Sequence, residues 1–317
     1  MIESLKVLDG IRLKFSPEGL FALNLALAFI MFGVALEIKP GHFKNVFLKP
    51  KSAIIGFTSQ FILLPLVTVV LVMILRKFIT PTIAMGMILV ASCPGGNISN
   101  FITSLAKGNI ALSVSLTGIA TISAIVLTPL NFALWGGVYT NFISKLDSAT
   151  LLRPLEINPW HMFQTVFILL GIPLVIGMWV NHKFPAFTEK IVKPIKIFSI
   201  LLFAAIVVMA FSNNYEYFVQ YIKYIFIIVL IHNGVALFSG FFYATGTGLS
   251  RYDRRAVSIE TGIQNSGLAL VLLFNPKIFP STMAIGGMAF VAAWWGIWHI
   301  ISGLSIAAFW SIKPLSR

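Results

Sequence analysis

Glu260 places a carboxylate inside an apolar run, and the residues after it, Thr261-Gly262-Ile263-Gln264-Asn265-Ser266-Gly267, supply hydroxyls, amides and two glycines. A second stretch of the same character is Cys93-Pro94-Gly95-Gly96-Asn97-Ile98-Ser99-Asn100. Pro94 cannot donate a backbone hydrogen bond and clashes with the preceding turn, and each glycine costs about 1 kcal/mol in a helix interior. A helix therefore breaks here, leaving carbonyls at one end and amides at the next start. Carbonyl ends suit cations and amide ends suit anions. Asn97, Ser99 and Asn100 add neutral oxygen donors, and Ser113 and Thr117, four residues apart, share one helix face. With Glu260 they make an oxygen cage carrying one negative charge, which suits a hard monovalent cation such as Na+; a carboxylate-rich cage would suit Ca2+. A second cluster is available from Gln264, Gln60 and the carbonyls around Thr261 and Ile263.

Each feature has a plainer account. Intramembrane Ser and Thr usually bond back to their own helix, so Ser113 and Thr117 taken alone read as packing residues. A Pro-Gly-Gly break alone is often only a kink. Glu260 lies five residues beyond Arg255, so depth also allows an interfacial ion pair. The occurrence of two such breaks in matching places favours an ion site.

The elements that position these residues follow from composition. The chain is 58% hydrophobic and 10% charged, with mean hydropathy +0.92, the profile of an all-α polytopic membrane protein. Nine apolar runs of membrane-spanning length fall near 18–38, 52–75, 82–106, 109–136, 161–181, 197–213, 222–246, 256–275 and 283–312. Lys6, Arg12 and Lys14 before the first run resemble a signal peptide, but the run is long enough to span and is read as the first membrane helix. A net charge of +13 is dispersed between apolar runs instead of forming one basic patch, which reads as topology and not nucleic acid binding. On alternate loops the Lys and Arg residues divide fourteen against nine, which places the N-terminus outside and the C-terminus in the cytoplasm of a multi-pass cell-membrane protein.

With the polar connector from Lys145 to Trp160 as the boundary, a first repeat (1–144) holds four spans and a second (145–317) holds five, within one transmembrane domain. Both interrupted runs are then penultimate in their halves and cross in opposite directions, the pattern of an inverted repeat. Cys93 is the only cysteine, which excludes intramolecular disulfides and a multi-thiolate zinc site; beside the break it reads as a small apolar filler. His232, with Asn233, and His299 lack a spacing that would unite them as metal ligands and read mainly as hydrogen-bonding residues. No paired aspartates, Gly-x-Ser-Gly nucleophile or zinc motif supports an intramembrane hydrolase, and the chain is read as a non-enzyme.

At these residues the sequence resembles the bile acid:sodium symporter (BASS) family, from Phe32-Gly33 through Ser92 to Asn100 and Lys107-Gly108-Asn109 to Glu260 through Gly267. It looks like a bacterial-type homologue of the animal sodium/bile acid cotransporters. The resemblance implies two crossed discontinuous helices in a core domain that moves against a panel domain. Ser99, Asn100, Ser113, Thr117 and Glu260 match one family Na+ site. Gln60, Glu260, Thr261, Ile263 and Gln264 match the other, so two coupling Na+ ions are expected. An organic anion is expected near Asn97, Asn265 and His299. Ile300 stands where the family often has Asn, a departure that touches substrate and not ion coupling. Family substrates include bile acids, pantoate, pyruvate and other keto acids. The expected activity is sodium-coupled symport by alternating access in a monomer embedded in lipid. The competing readings are an arsenite-type or proton-coupled exporter of the same superfamily, using Cys93 or Glu260, and a receptor that binds an anion without moving it.

Overall fold

A computed structural model describes residues 2–11, 17–38, 50–96, 98–146, 158–212, 215–280 and 283–312. Within these segments the chain is helical apart from short connections and the extended residues at the two breaks. A short amphipathic helix α1 (Ile2–Asp9) precedes α2 (Pro17–Glu37), α3 (Pro50–Leu75), α4 (Pro81–Ser92), α5 (Ser99–Leu105) and α6 (Ile110–Leu146). After the connector come α7 (Pro159–Lys183), α8 (Pro185–Ser212), α9 (Tyr215–Gly246), α10 (Arg251–Gly262), α11 (Ser266–Leu273) and α12 (Gly286–Ile312). Each of the nine apolar runs coincides with one helix or with a broken pair, α4/α5 and α10/α11. By length and composition, five of the described helices, α3, α6, α7, α9 and α12, are each able to cross a bilayer.

Helix ends differ from the hydropathy reading where polar residues extend a helix past its apolar part. Helix α6 runs ten residues beyond the predicted end, and α8 begins twelve before the predicted start, through Lys190, Lys193 and Lys196. Hydropathy registers only the part that would lie in hydrocarbon, whereas backbone hydrogen bonds continue outside it.

Two π-helical turns, Ser59–Leu63 in α3 and Phe167–Gly171 in α7, each lie just before a proline, Pro65 and Pro173. Pro65 has no N–H to offer the Phe61 carbonyl one turn earlier. Asn131 Nδ2 of α6 donates to that oxygen instead, at 2.9 Å. The wide turn accommodates the proline within a continuous helix and puts Gln60 on the buried side.

Helices α3, α4, α6, α9, α11 and α12 share one apolar core that includes Leu64, Ile83, Met87, Ile88, Phe132 and Trp295. Helix α2 packs mainly on α7 and α8, where Phe29 meets Phe198 edge-on at 5.4 Å and Asn181 Nδ2 donates to the Ile38 carbonyl at 3.1 Å. On the outside of α3, Ile54, Ile62, Leu66, Val70 and Ile74 form an exposed apolar stripe, and Val175, Ile176 and Trp179 do the same on α7. An outward face this apolar is one that lipid tails, not water, would solvate.

Helix α1 buries Leu5 and Leu8 against the core, and its terminal Asp9 accepts hydrogen bonds from Thr80 Oγ1 (2.7 Å) and Thr82 Oγ1 at the start of α4. Burial raises the Asp9 carboxyl above the ordinary carboxylate value, outweighing the hydrogen bonds from Thr82 and Thr80 that lower it. Its pKa in the folded protein thus exceeds that in the unfolded chain. The stabilisation it contributes is complete at acid pH and is lost as pH rises from the unfolded value through the folded one. The expected result is a melting temperature in detergent that declines across that window in wild type, relative to an Asp9→Asn protein in which this titration is missing. Identical profiles would show that the carboxyl is not desolvated.

Candidate functional site

The two breaks meet. Gly96 N–H donates to the Ile263 carbonyl at 2.7 Å, and Asn265 N–H donates to the Pro94 carbonyl at 2.8 Å, so Gly95 and Gln264 pair as an isolated antiparallel bridge. Each break satisfies backbone groups that the other leaves open, which a helix end buried away from water requires. The close approach depends on glycine. A Cβ on Gly96 would lie 2.9 Å from the Gln264 carbonyl oxygen, and one on Gly95 would lie 3.0 Å from Glu260 Oε2.

Glu260, in the last turn of α10, is buried at this crossing. Its Oε1 accepts from Ser99 Oγ at 2.6 Å, from Thr117 Oγ1 at 3.1 Å and from Ser113 Oγ. Asn100 Oδ1 lies 2.8 Å from Ser113 Oγ and 3.1 Å from Thr117 Oγ1, so each of these hydroxyls, with one proton, has more oxygens within reach than it can donate to. All five residues of the first predicted cluster therefore converge, brought by the first turn of α5, the first turns of α6 and the last turn of α10. Thr117 Oγ1 also reaches the Ser113 carbonyl of its own helix at 3.0 Å, so the packing role coexists with the contact to Glu260. The ion pair with Arg255 is not the arrangement seen. Arg255 Nη1 donates to the Ala106 carbonyl at 2.6 Å, and its guanidinium lies over the Trp310 ring.

The second cluster lies at the same crossing, where a Cβ on Gly95 would have Glu260 Oε2 at 3.0 Å and Gln60 Oε1 at 3.8 Å beside it. Gln60 Nε2 donates to Gln264 Oε1 at 2.8 Å and to the Cys93 carbonyl at 3.0 Å, while Gln264 Nε2 donates to the Thr261 carbonyl at 2.7 Å. The Ile263 carbonyl receives Gly96 N–H, as above. Thr261 Oγ1 pairs with Ser59 Oγ of the π turn at 2.7 Å. Cys93 is fully buried, with apolar neighbours. The donors in both clusters are hydroxyl, amide, carbonyl and carboxylate oxygens, a set that fits a hard cation and offers no soft ligand.

Of the residues expected near an anion, Asn97 lies outside the described residues. Asn265 caps α11, its Oδ1 accepting Leu268 N–H at 3.0 Å, and its Nδ2 faces Met31 Sδ of α2 at 4.0 Å. His299 is buried on α12, and nothing polar links it to Asn265 among the described residues. His232 Nε2 is 2.8 Å from Thr68 Oγ1, and its ring meets Trp295 edge-on at 4.7 Å, a hydrogen-bonding and packing role as the sequence suggested. Sequence reasoning missed three polar contacts around the breaks: Ser59 on Thr261, Asn131 on Phe61, and Asn233 on the Gly262 carbonyl. Only the Phe61 contact had a signal, Pro65 four residues on.

The model of the Sodium Bile acid symporter family matches residues 24–221. The chain belongs to that family. Among similar proteins is the sodium-dependent transporter YocS of Bacillus subtilis, 33% identical over 95% of this chain and 88% of that protein. The ileal sodium/bile acid cotransporter of Oryctolagus cuniculus is 32% identical over 87% of this chain and 78% of its own. The probable chloroplastic sodium/metabolite cotransporter BASS2 of Oryza sativa subsp. japonica is 30% identical over 86% of this chain, which spans 63% of that protein. Membership makes this a multi-pass membrane protein of a sodium-coupled transporter family, whose members are carriers and not enzymes, and makes Na+ the coupling ion.

Proposed function

We propose that this protein is a Na+-coupled symporter of organic anions that works by alternating access. The observation that carries the reading is the Glu260 carboxylate buried among Ser99, Ser113 and Thr117 where two broken helices cross. In this reading one Na+ is held by Ser99, Asn100, Ser113, Thr117 and Glu260. A second is held by Gln60, Glu260, Gln264 and the carbonyls of Thr261 and Ile263. The anion, of bile acid or small carboxylate type such as pantoate or a keto acid, binds beside the crossing near Asn97, Asn265 and His299. Helices α3–α6 and α9–α12 form a core that moves against a panel of α2, α7 and α8. Nine spans divide into inverted repeats at 1–144 and 145–317, with the N-terminus outside, and the monomer is the working unit.

Two Na+ and one monovalent anion carry one net positive charge inward. A potential of ~100 mV then supplies about 2.3 kcal/mol, and a tenfold Na+ gradient adds about 1.4 kcal/mol per ion. Together, roughly 5 kcal/mol supports accumulation of about several thousandfold.

The test is uptake of a panel of small organic acids into proteoliposomes with Na+ or K+ outside, at clamped potentials. The expected result is Na+-dependent uptake stimulated by an inside-negative potential; uptake indifferent to both would sink the proposal. Cys93→Ala separates the exporter alternative. It should leave Na+-driven uptake within about twofold, whereas a thiol-dependent carrier would lose transport.

A further inference from the structure

The break after α10 leaves a choice of which carbonyls turn toward an ion and which turn away. Asn233, buried on α9, donates from Nδ2 to the Gly262 carbonyl at 2.7 Å. Gly262 is the last helical residue of α10, and Ile263, at φ −104° and ψ 102°, is the first extended one. Fixing the Gly262 peptide therefore fixes where the chain leaves the helix. It holds one carbonyl on the α9 side while the Thr261 and Ile263 carbonyls are engaged by Gln264 and Gly96. Helix α9 is a firm support for this, since Ser258 Oγ one turn earlier donates to the Leu237 carbonyl at 2.7 Å.

The Asn233 side chain is itself oriented. Ser302 Oγ of α12 lies 2.5 Å from Asn233 Oδ1 and 3.2 Å from the His299 carbonyl. The Gly262 carbonyl can only accept, so the amide nitrogen must point at it, and Oδ1 then takes its hydrogen bond from the Ser302 hydroxyl, which holds the amide in place. One polar chain thus runs from the His299–Ser302 turn through Asn233 to the backbone beside Glu260.

We infer that Asn233 and Ser302 are positioning residues for Na+ binding: they hold the Gly262 peptide so that the carbonyls on either side of it face the ion, and they tie that backbone to the His299 turn of α12. This rests on the proposed Na+ sites. Leaving the Gly262 oxygen without its donor inside the protein should weaken Na+ binding by about tenfold. Releasing only the orienting hydroxyl should weaken it by about threefold.

The test uses purified full-length protein in detergent, without any organic anion, and follows melting temperature as Na+ replaces K+ at constant ionic strength. Asn233→Leu keeps the side-chain volume and removes both polar atoms; Ser302→Ala removes one oxygen. The expected result is a rightward shift of the Na+ concentration needed for half the thermal response, larger in N233L than in S302A. A merely structural role would lower the melting temperature in K+ and in Na+ alike and leave that concentration unchanged, and this outcome overturns the inference. If N233L does not accumulate as folded protein, S302A decides: an unshifted Na+ response overturns the inference. A wild-type protein with no Na+ response at all would instead overturn the Na+ sites themselves, so the two failures are distinguishable.

Discussion

Glu260→Gln should abolish measurable Na+-driven accumulation while leaving a folded protein. Glutamine keeps the shape and one acceptor for Ser99, Ser113 and Thr117, so the hydroxyl cluster retains a partner. What is lost is the one carboxylate that both predicted Na+ positions share. A charge-assisted contact of this kind contributes about 1.5–3 kcal/mol, so each ion loses tenfold or more in affinity, and two ions sharing the group lose about a hundredfold together. The check is initial uptake rate against Na+ concentration, together with the Na+-induced melting shift. Retention of steep Na+ dependence in E260Q would remove Glu260 from the coupling machinery. The variant also tests the proton-coupled alternative, because a carrier that used this carboxyl for protons would lose its pH dependence and not a Na+ dependence.

The second large effect is expected at Gly96. A methyl group there would press on the carbonyl oxygen of Gln264 at 2.9 Å and on its carbonyl carbon at 3.2 Å. These are backbone atoms beside the Asn265 N–H to Pro94 bond, so they cannot swing aside as a side chain does. Gly96→Ala should therefore force the bridge apart, lower stability by about 1–3 kcal/mol, and eliminate the Na+-induced melting shift. The neighbouring Gly95→Ala is the informative contrast. Its methyl would meet Glu260 Oε2 at 3.0 Å, the end of a side chain. That variant should melt near wild type in K+ yet need several-fold more Na+ for the same response. Equal behaviour of the two alanine variants would mean that the crossing is looser than the hydrogen bonds indicate.

Much of this arrangement was legible in the residues. Apolar runs of spanning length locate the helices because hydrocarbon offers no partner for open backbone groups. The breaks announce themselves because Pro94, Gly95 and Gly96 would be costly inside any continuous helix. Ser99, Asn100 and Glu260 stood out by being polar where everything around them is not. Ser113 and Thr117 were harder. A hydroxyl in a membrane helix can bond back to its own chain, and Thr117 does so while also reaching Glu260. The sequence could not show the π turn that aims Gln60, because Pro65 in an apolar run reads equally as a simple kink. Nor could it show that Asn233 and Ser302 lie beside the Gly262 carbonyl, since that depends on how α9, α10 and α12 pack and not on any spacing.

The crossing also has an electrical reading. Carbonyl ends of α4 and α10 and amide ends of α5 and α11 converge on it, so the partial charges of the helix ends largely cancel. Glu260 is left as the uncompensated charge. In the proposed cycle, the carrier holding two Na+ and one monovalent anion is neutral at this point, whereas the empty carrier keeps one negative charge. Membrane potential would then act on the return of the empty carrier and leave the loaded passage nearly untouched. Voltage jumps in the absence of the anion should accordingly produce transient currents from the protein, and saturating it with both Na+ and anion should suppress them.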